Sequence, residues 1–353
     1  GASFLDNEEF ELLISQIKEK IHGDAVYLSE LTGNYVKSAK RLVTKAKSIF
    51  GMNIKGKSSQ QVNQVFIEFM EEYNQSTFFF YIPLFIEKIL EDEIKQALTD
   101  LLTKRKRAVS VEQLLKILVS SSKDTLRKKK EIDLLTIAAT IVENDALKKE
   151  FNKKPEAIIA SLKKYRKLHG LIKEYLENYI WINTYLFQVN DYTLDDVIKE
   201  IKEILKEDPQ QQLQLIKTQR QEQQKKSAQL VKDLKLPSLL IKKIELVQEW
   251  NYLRTCRVDL YAMIHYYTKS LFEAVAQNLG LTYDELLQLT YKEIIGIMKF
   301  GLLNRQLLES RKEGHGWIME EGKARICTGY KLDELKEPEI ELEKLKDNKL
   351  FGT

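Results

Sequence analysis

SLLIKKIELVQEWNYLRTCRVDLYAMIHYYTKSLFEAVAQN, residues 238–278, is the stretch whose reading decides the fold. Its apolar side chains Ile241, Ile244, Trp250, Leu253, Leu260, Ile264, Tyr267, Leu271 and Val275 fall at helical spacing. Pro237 stands where a fixed φ and a missing N–H suit a helix start, and Gly280 follows as a stop. At about 1.5 Å per residue such a helix runs roughly 60 Å, long enough to span a domain.

The composition extends this reading to the whole chain. Among 353 residues there are 14 Gly and 5 Pro, and 31% are charged. The helix breakers are scarce against usual frequencies of about 7% and about 5%. Lys, Glu, Leu and Ile are abundant, and the straight-chain residues among them lose little rotamer freedom in a helix. The expected fold is all-α: a multi-helix bundle with one very long helix and a small C-terminal β-hairpin.

The charge balance excludes some functions. With 56 basic and 52 acidic residues the net charge is +4, so the overall field gives no reason to expect nucleic acid as a partner. Cys256 and Cys327 lie far apart, without the spacing of a zinc site, and point to a reducing compartment. No apolar run reaches the ~18 residues of a membrane span; Ser76 to Leu90 is broken by Pro83 and Glu87. No basic stretch followed by an apolar one opens the chain, so a signal peptide is not expected. These features suggest a cytoplasmic protein with no membrane partner.

Along the chain, Asp6 with Glu9 reads as a capping box for a helix that Gly23 ends. Further helices are expected over 25–50, 60–73, 77–99 and 126–147, with a short helical hairpin element at 110–120. Phe78-Phe79-Phe80-Tyr81 is aromatic on all sides, which predicts a helix buried between others. Pro155 suits a first helical turn. Tyr165, Leu168, Leu171, Ile172, Tyr175, Tyr179 and Leu186 form an apolar stripe. Thr193 with Asp196 caps a helix over 194–206 that Asp208-Pro209 closes. The Gln, Lys and Arg of 210–226 read as a solvated helix face. Thr282 with Glu285 and Thr290 with Glu293 are near copies that start two short helices. Between Gly316 and Gly329 two strand-like runs flank the turn pair Glu321-Gly322. The domains expected are a bundle over 1–208, a second helical unit over 209–313, the hairpin over 314–337, and a charged linker over 338–353.

The order of these last elements resembles a known family. The residues that carry it are Asn278-Leu-Gly-Leu281, Asp284-Glu-Leu286, Leu289-Thr-Tyr-Lys-Glu293-Ile, Arg305 to Arg311, Gly316 to Met319, Gly322-Lys and Cys327-Thr-Gly329. Together they resemble the segment before the swivelling phosphohistidine domain of phosphoenolpyruvate synthase and pyruvate phosphate dikinase-like enzymes, including the rifampin phosphotransferases. Phe351-Gly-Thr353 resembles the opening of that domain. The resemblance covers residues 250–353; residues 1–240 match in helical character alone. It implies a helical middle domain of a parent phosphotransferase, truncated before the swivelling domain. It further implies two partners in that parent, an ATP-grasp domain and the phosphohistidine domain, and a small-molecule acceptor. ATP and Mg2+ would serve the parent, with no cofactor in this chain. The ATP-grasp elements and the Gly-Gly and Ser-His motif are absent here. His22, His169, His265 and His315 lack such a context, so no complete catalytic site and no metal site is expected.

Two constellations are candidates for facing substrate or phosphate. Arg254, Val258, Tyr261 and His265 share one helix face, and Arg257 falls on the apolar stripe between Leu253 and Leu260. Guanidinium forks suit phosphate or carboxylate; the alternative is a buried ion pair, with Asp259 or an acid of a neighbouring helix. Arg305, Arg311 and His315 precede or open the hairpin. They could face a phosphate-bearing domain, or with Lys312 form a cationic last turn that complements the helix dipole. Gly314-His315-Gly316 could equally be a hinge. The basic runs 104–107 and 127–130 lack interleaved aromatics for stacking bases and read as solvated helix ends. Cys256 has no base beside it that would make it a nucleophile.

Overall fold

The computed structural model describes residues 7–23, 26–105, 109–185, 187–312, 314–320 and 323–328. Among these the chain is all-α, with fourteen α-helices and one two-stranded hairpin. The Asp6 cap, Leu186, the Glu321-Gly322 turn and the linker over 338–353 lie outside the described residues. The described residues fall into two compact units. One draws on Gly1–Met52 and Glu68–Lys269, the other on Asn53–Ile67 and Ser270–Thr353. These cuts fall elsewhere than the expected boundaries near 208 and 313.

The first unit begins with α1 (Asn7–Gly23) and α2 (Tyr27–Phe50). It takes most of α3 (Ser59–Lys104), then α4 (Val111–Val119), α5 (Leu126–Val142), α6 (Asp145–Phe151), α7 (Pro155–Ser161) and α8 (Arg166–Tyr179). It ends with α9 (Leu194–Ile204), α10 (Pro209–Asp233) and most of α11 (Ser238–Asn278). Helix α10 packs on α4 and α5, which makes 209–233 part of this unit.

Three expectations are corrected here. The two helices expected over 60–73 and 77–99 are one helix, α3, 46 residues long, so α11 with 41 is not the only very long helix. Polar residues at the expected break are satisfied in place: Ser76 is buried with Oγ 3.4 Å from Glu72, and the Thr77 hydroxyl donates to the Tyr73 carbonyl at 2.8 Å. Pro83 sits inside this helix, buried like its neighbours Ile82 and Ile86. The single helix expected over 126–147 is two. The Asn144 side chain accepts from the N–H groups of Ala146 and Leu147 and begins α6 anew. The hairpin element at 110–120 is one helix, α4, capped by Ser110.

The aromatic run of α3 is also not buried all round. Phe80 is fully buried, whereas Phe78 is 60% and Tyr81 48% exposed. The core of the unit gathers Ile137, Ile141, Ile172, Trp181, Val197, Ile198 and Ile201 from α5, α8, α9 and the segment after α8. Burying an aliphatic or aromatic side chain of this size contributes about 1.5–3 kcal/mol.

The second unit contains α12 (Tyr283–Leu287), α13 (Tyr291–Phe300), α14 (Arg305–Lys312), β1 (His315–Glu320) and β2 (Lys323–Thr328). Both capping boxes form: Thr282 with Glu285, and Thr290 with Glu293. Gly280 and Gly301 have φ of 67°, a left-handed conformation that lets each helix end close on itself. Phe66 meets Phe272 edge to face at 5.2 Å, and Leu286, Ile294, Ile297 and Leu308 are buried. The strands pair antiparallel from His315↔Thr328 to Glu320↔Lys323. No described helix is long and apolar enough to cross a membrane.

Candidate functional site

Within the first unit, α11 lays its arginine-bearing face against α3. Arg254 Nε lies 2.9 Å from the Glu87 carboxylate, whose side chain is 10% exposed. Burial pushes Glu87 up, Arg254 pulls it back, and the net direction is upward. One turn on, the Arg257 guanidinium stands 5.2 Å from the centre of the Tyr81 ring. Its Nη1 is buried and meets no hydrogen-bond acceptor among the described residues. Tyr35 and Tyr261 feel its charge, which lowers their pKa values against a larger rise from burial. The Tyr35 hydroxyl is committed, donating to the Leu253 carbonyl at 2.9 Å.

His265 lies deeper on the same helix and is 2% exposed. The Phe187 ring stacks on it at 3.8 Å, and the Tyr73 hydroxyl lies 3.3 Å from Nε2. Enclosed by rings, it has the surroundings of a core histidine. Asp259 turns to the opposite side and receives Arg127 Nε at 3.0 Å. Burial holds its carboxyl above the ordinary range despite Arg127 and the N–H groups of Leu126 and Arg127. Beside it, burial raises the Cys256 thiol, the opposite of what a nucleophile needs. Burial also pushes Tyr252 up to about 12.

The second unit holds the other three candidates. Arg311 is 3% exposed and grips Glu293 with both nitrogens, Nη1 to Oε2 at 2.9 Å and Nη2 to Oε1 at 2.8 Å. Its Nη1 also donates to the Gln288 carbonyl at 2.7 Å. Arg305 reaches Glu285 at 3.1 Å and the Gly280 carbonyl at 2.8 Å. The two capping glutamates therefore serve twice, closing their own helix starts and anchoring α14. Burial raises Glu293, but Arg311 and the Thr290 N–H outweigh it, and the net shift is downward. For Glu285 the Thr282 backbone bond leads the downward shift. His315 opens β1, half-buried, after Gly314 at φ 130°. Among the described residues no hydrogen bond or ion pair joins it to Arg305 or Arg311.

The six candidates thus divide three and three between the units and do not make one constellation within either. Arg254, Arg305 and Arg311 already hold carboxylates. Arg257 is the candidate arginine that holds none among the described residues. The basic run at 127–130 is also engaged: Arg127 with Asp259, Lys128 with Glu131, and Lys130 with Glu200 at 2.7 Å. Among the described residues no three His, Cys, Asp or Glu side chains are placed to hold a metal ion.

The sequence reading passed over one feature of the first unit, a cleft of about 500 Å3 between residues 120–125, α10 and α11. The run Ser120-Ser121-Ser122 between two helices was its one local signal. No protein-family model and no curated protein matches the chain.

Proposed function

We propose that the chain is a non-catalytic helical linker or substrate-side domain of an ATP-dependent, phosphoenolpyruvate synthase-like phosphotransferase, which relays phosphoryl groups through a mobile phosphohistidine domain. The observation that supports this reading is the block after α11. Two short helices with duplicate capping boxes are tied by Arg305 and Arg311 to α14, and the hairpin follows directly. A swinging domain turns about a few tether residues, and a base that yields would waste that motion. Two charge-assisted anchors suit such a base.

In this reading the partners are the ATP-grasp and swivelling phosphohistidine domains of the same parent, in the cytoplasm. ATP and Mg2+ serve the parent, and no step of this chain's own uses them. The acceptor is a small molecule. The test is the full-length parent incubated with labelled ATP, together with the reading frame after Thr353. Acid-labile label on a histidine within a Gly-Gly and Ser-His motif is expected. A parent without that motif, or one that takes up no label, overturns the proposal; turnover of ATP by the isolated chain overturns its non-catalytic role.

A second reading, an α-helical interaction scaffold, is favoured by one observation. Phe300 and Leu302, 72% and 79% exposed, flank the left-handed Gly301. Binding to nucleic acid is a weaker third reading, since the cations of 127–130 are largely paired within the chain.

A further inference from the structure

None of the six candidate residues lines the cleft of the first unit. Its floor is aliphatic, with Ile244 buried and Ile117, Ile216 and Ile241 half-buried. Its rim is hydroxyl and amide: Ser122, Ser227, Gln219 and Gln224 line it, and among the described residues their side chains make no hydrogen bond. A shallower recess of about 330 Å3 prolongs it along α4 and α10. The volume is that of a small-molecule site.

The charges narrow the chemistry. Lys123, Lys128 and Arg220 reach the cleft from three different elements, against Asp124 and Glu245. Lys123 and Lys128 pair with Glu249 and Glu131, which are not part of the lining, so those charges do not oppose an anion from inside. Arg220 pairs with Asp124 within the cleft. A guanidinium fork fits phosphate as well as carboxylate, so an entering phosphoryl group can take the place of Asp124. No aromatic side chain lines the space, which leaves a nucleobase without a stacking surface. Hydroxyls and amides on the remaining rim match a polyhydroxylated body.

We propose that this cleft binds a small phosphorylated polyol, a sugar phosphate in kind. Arg220 and Lys123 receive the phosphoryl group, and the serine and glutamine rim receives the hydroxyls. The site stands independently of the phosphotransferase reading.

The experiment is calorimetric titration of the full chain with glucose 6-phosphate, with glucose and inorganic phosphate as separate arms. Glucose 6-phosphate is expected to bind at least tenfold more tightly than either fragment. Arg220→Gln should weaken it at least tenfold. Asp124→Asn should strengthen it severalfold, because it removes the competing carboxylate. Lys225→Gln, on the same helix but outside the cleft, should leave it unchanged. The opposite signs matter, since mere loss of structure cannot produce both. Absence of binding, equal binding of inorganic phosphate, or affinity that moves the same way or not at all in the two cleft variants overturns the proposal. Thermal melts of the variants accompany the titration, and if Arg220→Gln does not fold the Asp124→Asn gain decides alone.

Discussion

Two buried ion pairs, one in each unit, resolve the same problem in opposite ways. In Arg311–Glu293 the arginine is the desolvated partner, its side chain 2% exposed against 30% for the glutamate side chain. In Arg127–Asp259 the carboxylate is, 2% exposed against 51%. Arg311 makes two parallel bonds and Glu293 takes a third from the Thr290 backbone at 2.8 Å, so the acid is held low, although Arg311 Nε itself meets no acceptor among the described residues. Asp259 has a single side-chain bond to an exposed arginine, so burial wins and its acid is held high. Burial of an ion pair is thus no measure of its worth; the balance between the carboxylate's desolvation and the bonds made to it decides the sign.

The largest effect should follow from breaking the better pair. Glu293→Ala leaves Arg311 buried and uncompensated, and about 3–5 kcal/mol of stability should be lost at neutral pH. Because Glu293 is held low, its contribution is full above the ordinary Glu value of about 4.3 and fades as pH falls through its lowered one. Urea denaturation at pH 7 and pH 3 checks this: a loss below ~1 kcal/mol at pH 7 would break the comparison.

A smaller effect of opposite sign is expected at the other pair. Because burial raises Asp259, the folded chain releases this proton at a higher pH than the unfolded chain does. Between the ordinary Asp value of about 3.9 and the raised one, stability therefore falls as pH rises. Asp259→Asn should gain about 1 kcal/mol at pH 7 and nothing near pH 3. If melting shows the variant less stable at pH 7, the Arg127 bond outweighs burial and the contrast disappears.

Arg257 supplies the limiting case, a guanidinium with no carboxylate among the described residues. Arg257→Leu should leave stability unchanged or raise it by up to about 1 kcal/mol, by removing a buried donor with no acceptor. A loss beyond ~2 kcal/mol would mean that a bound water or anion satisfies Nη1. Retained stability with lost activity in the parent would make this arginine a site.

What could be read from sequence was what is decided within a few residues. The three boxes at Thr193, Thr282 and Thr290 all form, because cap and partner are three positions apart. The helical class and the hairpin were legible for the same reason. The continuity of α3 was not, since Ser76 looks like a break until tertiary burial and Glu72 account for it. The arginine candidates were visible as charges on helices, but not their partners: Glu293 is 18 positions from Arg311, and Glu87 lies on another helix. The cleft was hidden because its walls come from three separated segments.

Helix α10 carries a consequence for how the molecule opens. Over 25 residues it buries only Pro209, its first position. Its aliphatic side chains Leu213, Ile216, Leu230 and Val231 are only half-buried, so the free energy of that local opening is lower than the global one. Its amide hydrogens would exchange with solvent well before those of α11, and its lysines and Arg220 would be early targets for trypsin. The first unit therefore has a detachable wall, and any molecule seated against that wall would slow both exchange and cleavage in proportion to its occupancy.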